Sequence, residues 1–369
     1  MPEDSIEHIN FEDLNNRAIS KPLVDHIFTA DPSAHVFNGK IIYSFTLKNK
    51  RGVEVKILNF GGIITSIKTP DKRGCIENIT LGYDSLQHYI DDNSYLGAII
   101  GRYGNRIANG KFILGDTLYT LAKNNPPNHL HGGDSGFDKK TWKATSKINK
   151  DSVSLILNYI SKDMEEGFPG KLHTTILYTL TSDNSLEIEY KAKTDKKTIV
   201  NLTNHAYFNL SGNFNSDILD HELQINADKI LPTNKFLIPT GEISLVENTP
   251  FDFRTFKPIG KDIYADNKQL KLGLGYDHCW CLNYPDKGVR KIASAYHKKS
   301  GRLLEVFSDQ PGVQFYSGNH LKGSYLKRTG FCLETQHYPD SPNQNKFPSV
   351  VLCPGEIYSS KTSYKFLIQ

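Results

Sequence analysis

The chain has 369 residues, of which 38% are hydrophobic, 11% aromatic and 23% charged. This length allows one large core or two ordinary ones, because all-β domains often extend to about 200 residues or more as single units. The net charge is only +4 and no block of Lys and Arg occurs, which argues against nucleic acid as a partner. No apolar run approaches the ~20 residues that a membrane helix needs, so we expect no membrane association.

The N-terminus and the cysteines indicate a cellular compartment. Residues 1–17 lack the basic and apolar regions of a secretory signal. Five cysteines in a chain of this length do not predict a disulfide framework. Cys279 and Cys281 flank Trp280 and should share one face of a strand as buried free thiols, since no second pair has zinc-site spacing. We therefore expect a protein of the reducing cytoplasm.

Residues 1–34 differ in composition from the rest of the chain. They contain seven acidic residues against two basic ones, no glycine and little strand signal. Ile6, Ile9 and Leu14 fit a short helix only loosely. We expect an acidic N-terminal extension over residues 1–34 and a single β-sandwich domain over residues 35–369.

Two-residue periodicity predicts the fold of the main domain. Residues 53–57 alternate between apolar and charged side chains, and so do residues 186–192. The turn at 182–184 separates the second run from the apolar run 176–180, which predicts a hairpin. Further short strand-like runs lie at 41–47, 153–160, 223–227, 303–307 and 350–353. Long helical periodicity is scarce and residues 85–90 are the best candidate for a helical turn, so the pattern predicts an all-β protein, a large antiparallel β-sandwich.

Six segments between the predicted strands are unusually rich in polar and aromatic residues. Together they supply hydrogen-bonding groups for hydroxyls, aromatic faces for the C–H side of a sugar ring, and titratable groups. These segments are 101–106, 128–133, 201–209, 275–278, 310–316 and 330–336. Their pooled composition predicts a sugar-binding site.

No cofactor is indicated by the motifs. The glycines of segment 101–104 lack the spacing of a dinucleotide-binding loop, and no Walker-type phosphate loop occurs. His129 and His131 should face the same side of a strand and would form half of a zinc site. Because nothing in the sequence nominates a third ligand, we expect no metal.

Two titratable residues stand out from their neighbours. Glu334 follows Phe331, Cys332 and Leu333 in an apolar strand, where an isolated carboxylate is costly, so a functional role is favoured. His205 directly precedes Ala206, Tyr207 and Phe208 and is equally consistent with a hydrogen-bonded core histidine.

The ordered set of motifs resembles the aldose 1-epimerase (galactose mutarotase) family from about residue 40 to the C-terminus. The motifs that carry the resemblance are Asn59–Gly62, Leu130–Gly133, Gly136–Lys139, Glu166–Gly170, Asn201–Leu210, Leu231–Pro232, Ile238–Gly241, Gly312–Tyr316, Phe331–Gln336 and Pro354–Glu356. The resemblance implies a mutarotase-like supersandwich with the sugar in an open cleft. Residues 1–34 are its one departure from the family pattern.

The resemblance also implies an activity and roles for particular residues. It implies interconversion of the α and β anomers of free hexoses such as galactose and glucose, without a cofactor. Glu334 matches the general base and His205 the general acid. The residues that match the binders of the sugar hydroxyls are His131, Asp277, Arg106, Asn105 and Gln314. A carboxylate of pKa ~4.3 and an imidazole of pKa ~6.5 would hold opposite protonation states near neutral pH.

Three other functions remain open at this stage. A carbohydrate-binding protein of the same fold would lack the acid or the base, and both are present. A mutarotase of sugar phosphates would need a clamp of converging cations, for which Arg102, Arg106 and Arg254 are available. A glycoside hydrolase would use two carboxylates, Glu334 and Asp277, which leaves His205 without a role. The preferred aldose, the oligomeric state and the task of the extension stay undecided.

Overall fold

The structure, a computed structural model, describes residues 26–369. Within this range the chain forms strands, short 3-10 turns and two α-helices, α1 (Leu86–Asp91) and α2 (Lys268–Gly273). The helical turn predicted at 85–90 is confirmed, and the Ser85 hydroxyl caps it by accepting a hydrogen bond from the His88 amide. No helix between residues 26 and 369 is long and apolar enough to cross a membrane.

The first sheet contains five antiparallel strands in chain order. They are β1 (His26–Phe37), β2 (Lys40–Asn49), β3 (Glu54–Leu58), β4 (Ile64–Pro70) and β5 (Ile76–Asn78). Val55 and Ile57 of β3 are fully buried while Glu54 and Lys56 are partly exposed, as the alternation predicts.

The second sheet has nine antiparallel strands and forms the other layer of the sandwich. Its spatial order is β11 (Lys143–Ile148), β12 (Ser152–Ser161), β13 (Leu172–Thr181), β14 (Ser185–Thr194), β27 (Tyr358–Ile368), β23 (Arg302–Ser308), β22 (Arg290–His297), β17 (Glu222–Ile225) and β20 (Lys257–Pro258). The predicted hairpin joins β13 to β14, where Leu180 pairs with Leu186.

The core lies between these two sheets. Phe45 and Leu47 of β2 belong to the same buried cluster as Leu155 of β12 and Ile176 of β13. Each such side chain contributes about 1.5–3 kcal/mol by leaving water. The all-β sandwich predicted from periodicity is therefore confirmed.

Four two-stranded ladders lie outside the larger sheets in the described part of the chain. They are β6 (Ile99–Ile100) with β16 (Thr203–Asn204), β7 (Arg106–Ile107) with β10 (His129–Leu130), β8 (Lys111–Leu114) with β9 (Thr117–Thr120), and β15 (Thr198–Ile199) with β26 (Val351–Leu352).

A third, five-stranded sheet brings polar side chains to one surface. Its order is β19 (Ser244–Leu245), β18 (Lys229–Ile230), β21 (Asp277–Cys281), β24 (Gly312–Tyr316) and β25 (Cys332–Gln336). Trp280, Phe315 and Leu333 enter the main core from one face. Because side chains alternate along a strand, Asp277, Gln314, Tyr316, Cys332 and Glu334 share the opposite face, which we call the polar face.

Cys279 and Cys281 also lie on the strand as predicted. Both thiols are buried, and all five cysteines of the chain are free. They pack in a small cluster with Leu231 and Phe347.

The N-terminal part of the sheet begins earlier than expected. β1 starts at His26 and pairs with β2, so residues 26–34 belong to a strand although their sequence carries little strand signal. Pairing with a regular neighbour outweighs weak local propensity at this point. The helix considered around Ile6, Ile9 and Leu14 lies outside the described residues.

Candidate active site

An open cleft of about 860 Å³ lies above the polar face of the third sheet. Six of the seven predicted site residues line it, and they come from segments far apart in the chain. The residues are Asn105, Arg106, His131, His205, Asp277 and Glu334. Strand register therefore brings together groups that the sequence keeps up to 229 positions apart, counting from Asn105 to Glu334.

Glu334 lies at the base of the cleft in the middle of β25. Its side chain is 2% exposed, and its Oε2 atom has no hydrogen-bond partner among residues 26–369. Burial, followed by the charge of Asp277, raises the pKa of this carboxyl group well above its ordinary value. A buried carboxylate without structural partners costs stability, which favours a chemical role.

His205 faces Glu334 across a short gap. Its Nε2 atom lies 3.6 Å from Oε1 of Glu334. The backbone is held on both sides, since the His205 amide donates to Ala98 O at 2.9 Å and its carbonyl accepts from Gly97 N at 3.0 Å. Burial lowers the pKa of the imidazole to about 4. The ring lines the cleft, so it is not an enclosed core histidine.

His131 presents a hydrogen-bond donor to the cleft. Its backbone has φ of 51°, a left-handed conformation that turns the chain directly after β10. The Nδ1 atom accepts a hydrogen bond of 3.1 Å from the Asn105 amide, and the His131 amide donates to Asn105 O at 3.1 Å. Burial lowers the pKa of His131 well below its ordinary value, so the ring is neutral and carries its hydrogen on Nε2.

The predicted pairing of His129 with His131 is wrong. His129 Nδ1–H donates to Ala122 O, 2.9 Å away, and the His129 ring packs against Phe168. The turn at His131 separates the two side chains, so only His131 reaches the cleft.

Asp277 is the second carboxylate of the cleft and is held by two partners. Gln314 Nε2 donates to Oδ1 at 2.6 Å, and an Arg106 guanidinium nitrogen lies 3.7 Å from Oδ2. Gln314 itself does not line the cleft. It lies behind Asp277 on the polar face, which suits positioning of Asp277 better than direct contact with a sugar.

Asn105 supports the turn that carries Arg106. Its Oδ1 atom accepts a hydrogen bond of 2.9 Å from the Arg106 amide, and its φ of 64° lies in the left-handed region that asparagine tolerates. The side-chain oxygen is therefore already engaged within the protein.

Three tyrosines that sequence reasoning did not assign enclose the imidazoles. The ring of Tyr95 lies 4.7 Å from that of His131, and Tyr207 lies 5.0 Å from His205. Tyr316 lies 6.4 Å from His205 on the side of the polar face. Tyr207 and Tyr316 lie within the polar segments predicted to form the site. Tyr95 lies in a loop whose sequence does not indicate a binding site.

The three arginines considered for a phosphate clamp do not converge. Arg102 is buried and donates to Pro169 O at 2.7 Å and Gly170 O at 2.8 Å. Arg254 pairs with Asp252 at 2.8 Å on another surface. Of the three, only Arg106 lines the cleft. These arginines therefore do not supply the converging cations that a mutarotase of sugar phosphates would need.

A metal does not fit the histidines and carboxylates of the cleft. His131, His205 and Glu334 each offer one ligand atom, and these atoms lie within 4.8 Å of one another. However, a metal-binding histidine donates its other ring N–H to an acceptor. His131 Nδ1 instead accepts the Asn105 N–H, so its cleft-facing Nε2 carries hydrogen and has no lone pair to give.

A second group of possible metal ligands, Asp220, His221 and His297, does not fit a metal for the same reason. His221 Nε2 accepts a hydrogen bond of 3.0 Å from the Leu210 amide. Its Nδ1 therefore carries the hydrogen and faces Asp220 Oδ1 at 3.2 Å.

The arrangement defines a class of protein. A buried carboxylate and a buried imidazole face each other in a cleft that also offers a second carboxylate, a guanidinium and tyrosine rings. These are the parts of an acid–base enzyme that acts on a small polyhydroxylated molecule.

Comparison with known proteins specifies this class. The sequence model of the aldose 1-epimerase family matches residues 43–365. The galactose mutarotase of Bos taurus is 44% identical over 324 residues, which cover 86% of this chain and 92% of that protein. The aldose 1-epimerase of Escherichia coli strain K12 is 39% identical over 333 residues, covering 88% and 95%. A crystal structure of galactose 1-epimerase from Lactobacillus acidophilus NCFM superimposes with a TM-score of 0.83 at 29% identity, covering 94% of this chain and 99% of that one.

The chain therefore belongs to the aldose 1-epimerase family. It is an isomerase that interconverts the anomers of aldoses.

Proposed function

We propose that the protein converts the α and β anomers of free aldohexoses, galactose and glucose, with Glu334 as general base and His205 as general acid. The observation that carries this proposal is the distance of 3.6 Å between His205 Nε2 and Glu334 Oε1, both inside the cleft. Relatives named galactose mutarotase support galactose as one substrate.

The short distance suits the reaction. A cyclic aldose changes anomer by opening to the aldehyde, which requires loss of the proton on the anomeric hydroxyl and gain of a proton by the ring oxygen. Both oxygens are attached to the same carbon, C1. The base and the acid must therefore lie close together, and each well-placed group accelerates proton transfer by about 10²–10⁴-fold.

Burial of the pair sets the direction of the proton transfers. Ring opening converts a carboxylate and an imidazolium into a carboxylic acid and a neutral imidazole. The raised pKa of Glu334 and the lowered pKa of His205, about 4, both favour the neutral products of this step. The ordinary pKa values expected from the sequence thus do not apply, because burial penalises both charges. After rotation about C1–C2, ring closure on the other face reverses both transfers.

The rest of the cleft supplies binding and orientation. Asp277 accepts hydrogen bonds from sugar hydroxyls, and His131 donates through Nε2–H. Arg106 donates from the side of Asp277. Gln314 and Asn105 act behind them, because Gln314 holds Asp277 and Asn105 holds the Arg106 turn. Fixing the ring in this way aligns both proton transfers.

The compartment we propose is the cytoplasm. All five thiols are free, and Cys75 among them is exposed, which suits a reducing environment.

Polarimetry tests the substrate assignment. Purified protein should accelerate the decay of optical rotation of fresh α-galactose and α-glucose, and should have little effect on glucose 6-phosphate. A clear preference for the phosphate would overturn the proposal, since Arg102 and Arg254 are engaged away from the cleft.

A further inference from the structure

A thiol lies directly behind the proposed acid. Cys332 Sγ is 3.4 Å from His205 Nδ1, the nitrogen that points away from Glu334. Cys332 is fully buried and His205 is 4% exposed. Cys332 and Glu334 are two residues apart on β25, so their side chains leave the same face of the sheet. One strand therefore carries the base and the group that contacts the acid.

Among the side chains around His205, the Cys332 thiol is the one that contacts Nδ1. The titratable groups that face the ring are Glu334, His131, Tyr95, Tyr207 and Tyr316, with the charges of Asp277 and Arg106 further out in the cleft. Within residues 26–369, Cys332 is the one side chain with a hydrogen bond to Nδ1, and the ring also forms a hydrogen bond with the backbone of His205 itself, which opposes part of the fall in its pKa. Burial raises the pKa of the thiol well above its ordinary value, so it keeps its hydrogen.

A thiol has properties that a carboxylate in this position would lack. A carboxylate only accepts hydrogen bonds, and it stabilises the imidazolium strongly. A thiol is a weak donor and a weak acceptor. It can accept from Nδ1–H both in the imidazolium, before Nε2 gives its proton to the ring oxygen, and in the neutral ring that remains.

We propose that Cys332 is a positioning residue that accepts a hydrogen bond from His205 Nδ1–H, so that the cleft-facing Nε2 carries the transferred proton, and that it stabilises the imidazolium less than a carboxylate would. The proposal rests on the acid role of His205 stated above. It explains why an acid in this cleft is backed by sulfur instead of a carboxylate. A weakly supported imidazolium gives up its proton to the ring oxygen more readily.

Nitrogen NMR tests the tautomer without using activity. With ¹⁵N-labelled histidine, the His205 resonances are assigned by their loss in His205→Asn. In the wild-type enzyme near pH 7 they should report a neutral ring with hydrogen on Nδ1, so that Nε2 is free to take up the proton that it delivers. In Cys332→Ala the two tautomers should mix. A wild-type ring with hydrogen on Nε2, or an unchanged pattern in Cys332→Ala, would overturn the proposal.

Kinetics of Cys332→Ala and Cys332→Ser provide the second test. Cys281→Ala is the matched control, because Cys281 is a buried thiol of the same sheet that lies away from the cleft. The alanine variant should lose about tenfold or more in kcat with KM nearly unchanged. The serine variant should recover much of kcat, and the stronger hydroxyl partner should move the pH profile of kcat to higher pH.

The outcomes separate this proposal from the proposed function. Equal kcat losses in Cys332→Ala and Cys281→Ala, with unshifted pH profiles, would show that Cys332 contributes only packing and would overturn its positioning role. Full activity of His205→Asn would instead remove the acid role itself, whatever the NMR of the wild-type ring shows.

Discussion

Gln314 and Glu334 lie directly opposite each other on strands β24 and β25, and each has one buried oxygen without a hydrogen-bond partner among residues 26–369. Two unpaired acceptors on neighbouring side chains are unfavourable in a buried site. A proton on Glu334 changes this, because a carboxylic acid is also a donor. The raised pKa of Glu334 agrees with a protonated carboxyl in the free enzyme, and this proton must pass to His205 Nε2, 3.6 Å away, before Glu334 acts as the base.

The first prediction concerns the stability of Glu334→Gln. A folded-state pKa above the unfolded value keeps the proton bound in the native state, so wild-type stability falls as pH rises from about 4.5 toward the folded pKa. Glutamine does not titrate. Thermal unfolding should therefore show that the stability of the variant, relative to that of the wild type, increases from pH 5 to pH 8. Glu242→Gln, at an exposed position, is the control and should show no such gain. A constant difference across this range would contradict the raised pKa.

The second prediction concerns the loss of folding stability at acidic pH. Burial lowers the pKa values of His129, His205 and His278 to about 4 each. The unfolded chain then binds more protons than the native one between about pH 6.5 and pH 4, so stability is lost as pH falls through this window. The loss is about 1.4 kcal/mol per pH unit for each histidine. Urea unfolding at pH 7 and pH 5 measures it.

A single variant provides the control for the acid experiment. His129 lies outside the cleft, so His129→Gln should make the dependence of stability on pH shallower while turnover stays near wild type. An unchanged slope in this variant would show that His129 does not resist protonation in the native state.

The third prediction tests whether Gln314 acts by positioning Asp277 or by taking part in the reaction directly. Gln314→Leu keeps side-chain bulk but removes the 2.6 Å hydrogen bond to Asp277. A loss of one such bond to a charged group costs about 1.5–3 kcal/mol, so KM should rise by about tenfold or more while kcat changes little. Asp277→Ala should raise KM further. A collapse of kcat with unchanged KM in Gln314→Leu would place Gln314 in the proton transfers instead.

The fourth prediction concerns metal. Activity should survive exhaustive dialysis against EDTA, because the Asn105 N–H occupies His131 Nδ1 and leaves Nε2 protonated. Added zinc should not increase the rate. Inactivation by EDTA with recovery on zinc addition would refute this reading of the histidine.

Much of the fold was accessible from periodicity. The alternation at 53–57 and 186–192 correctly predicts which side chains are buried, because one face of each strand meets the core. β1 was missed, since residues 26–34 are strand only through pairing with β2. Long-range pairing of this kind leaves little local trace.

The candidate site was accessible mainly through the resemblance. It nominated Glu334 and His205, which the structure places 3.6 Å apart. The His129–His131 pairing failed because a left-handed residue ends the alternation at position 131. The resemblance predicts that Gln314 contacts the sugar, and the structure shows its amide donating to Asp277 on the polar face. The pKa shifts depend on burial by the whole fold and have no local sequence signal.

The proposed role of Glu334 is to take the proton from the anomeric hydroxyl. Glu334→Gln is nearly isosteric and cannot accept that proton, so polarimetry on α-galactose should show turnover reduced by ~10²-fold or more. His205→Asn should behave similarly, and the double variant should lose far less than the product of the two effects, because the residues act as one unit. Sugar affinity should change little in Glu334→Gln, since Asp277, His131 and Arg106 remain. Wild-type polarimetric rates in Glu334→Gln would contradict the account and place the base elsewhere in the cleft.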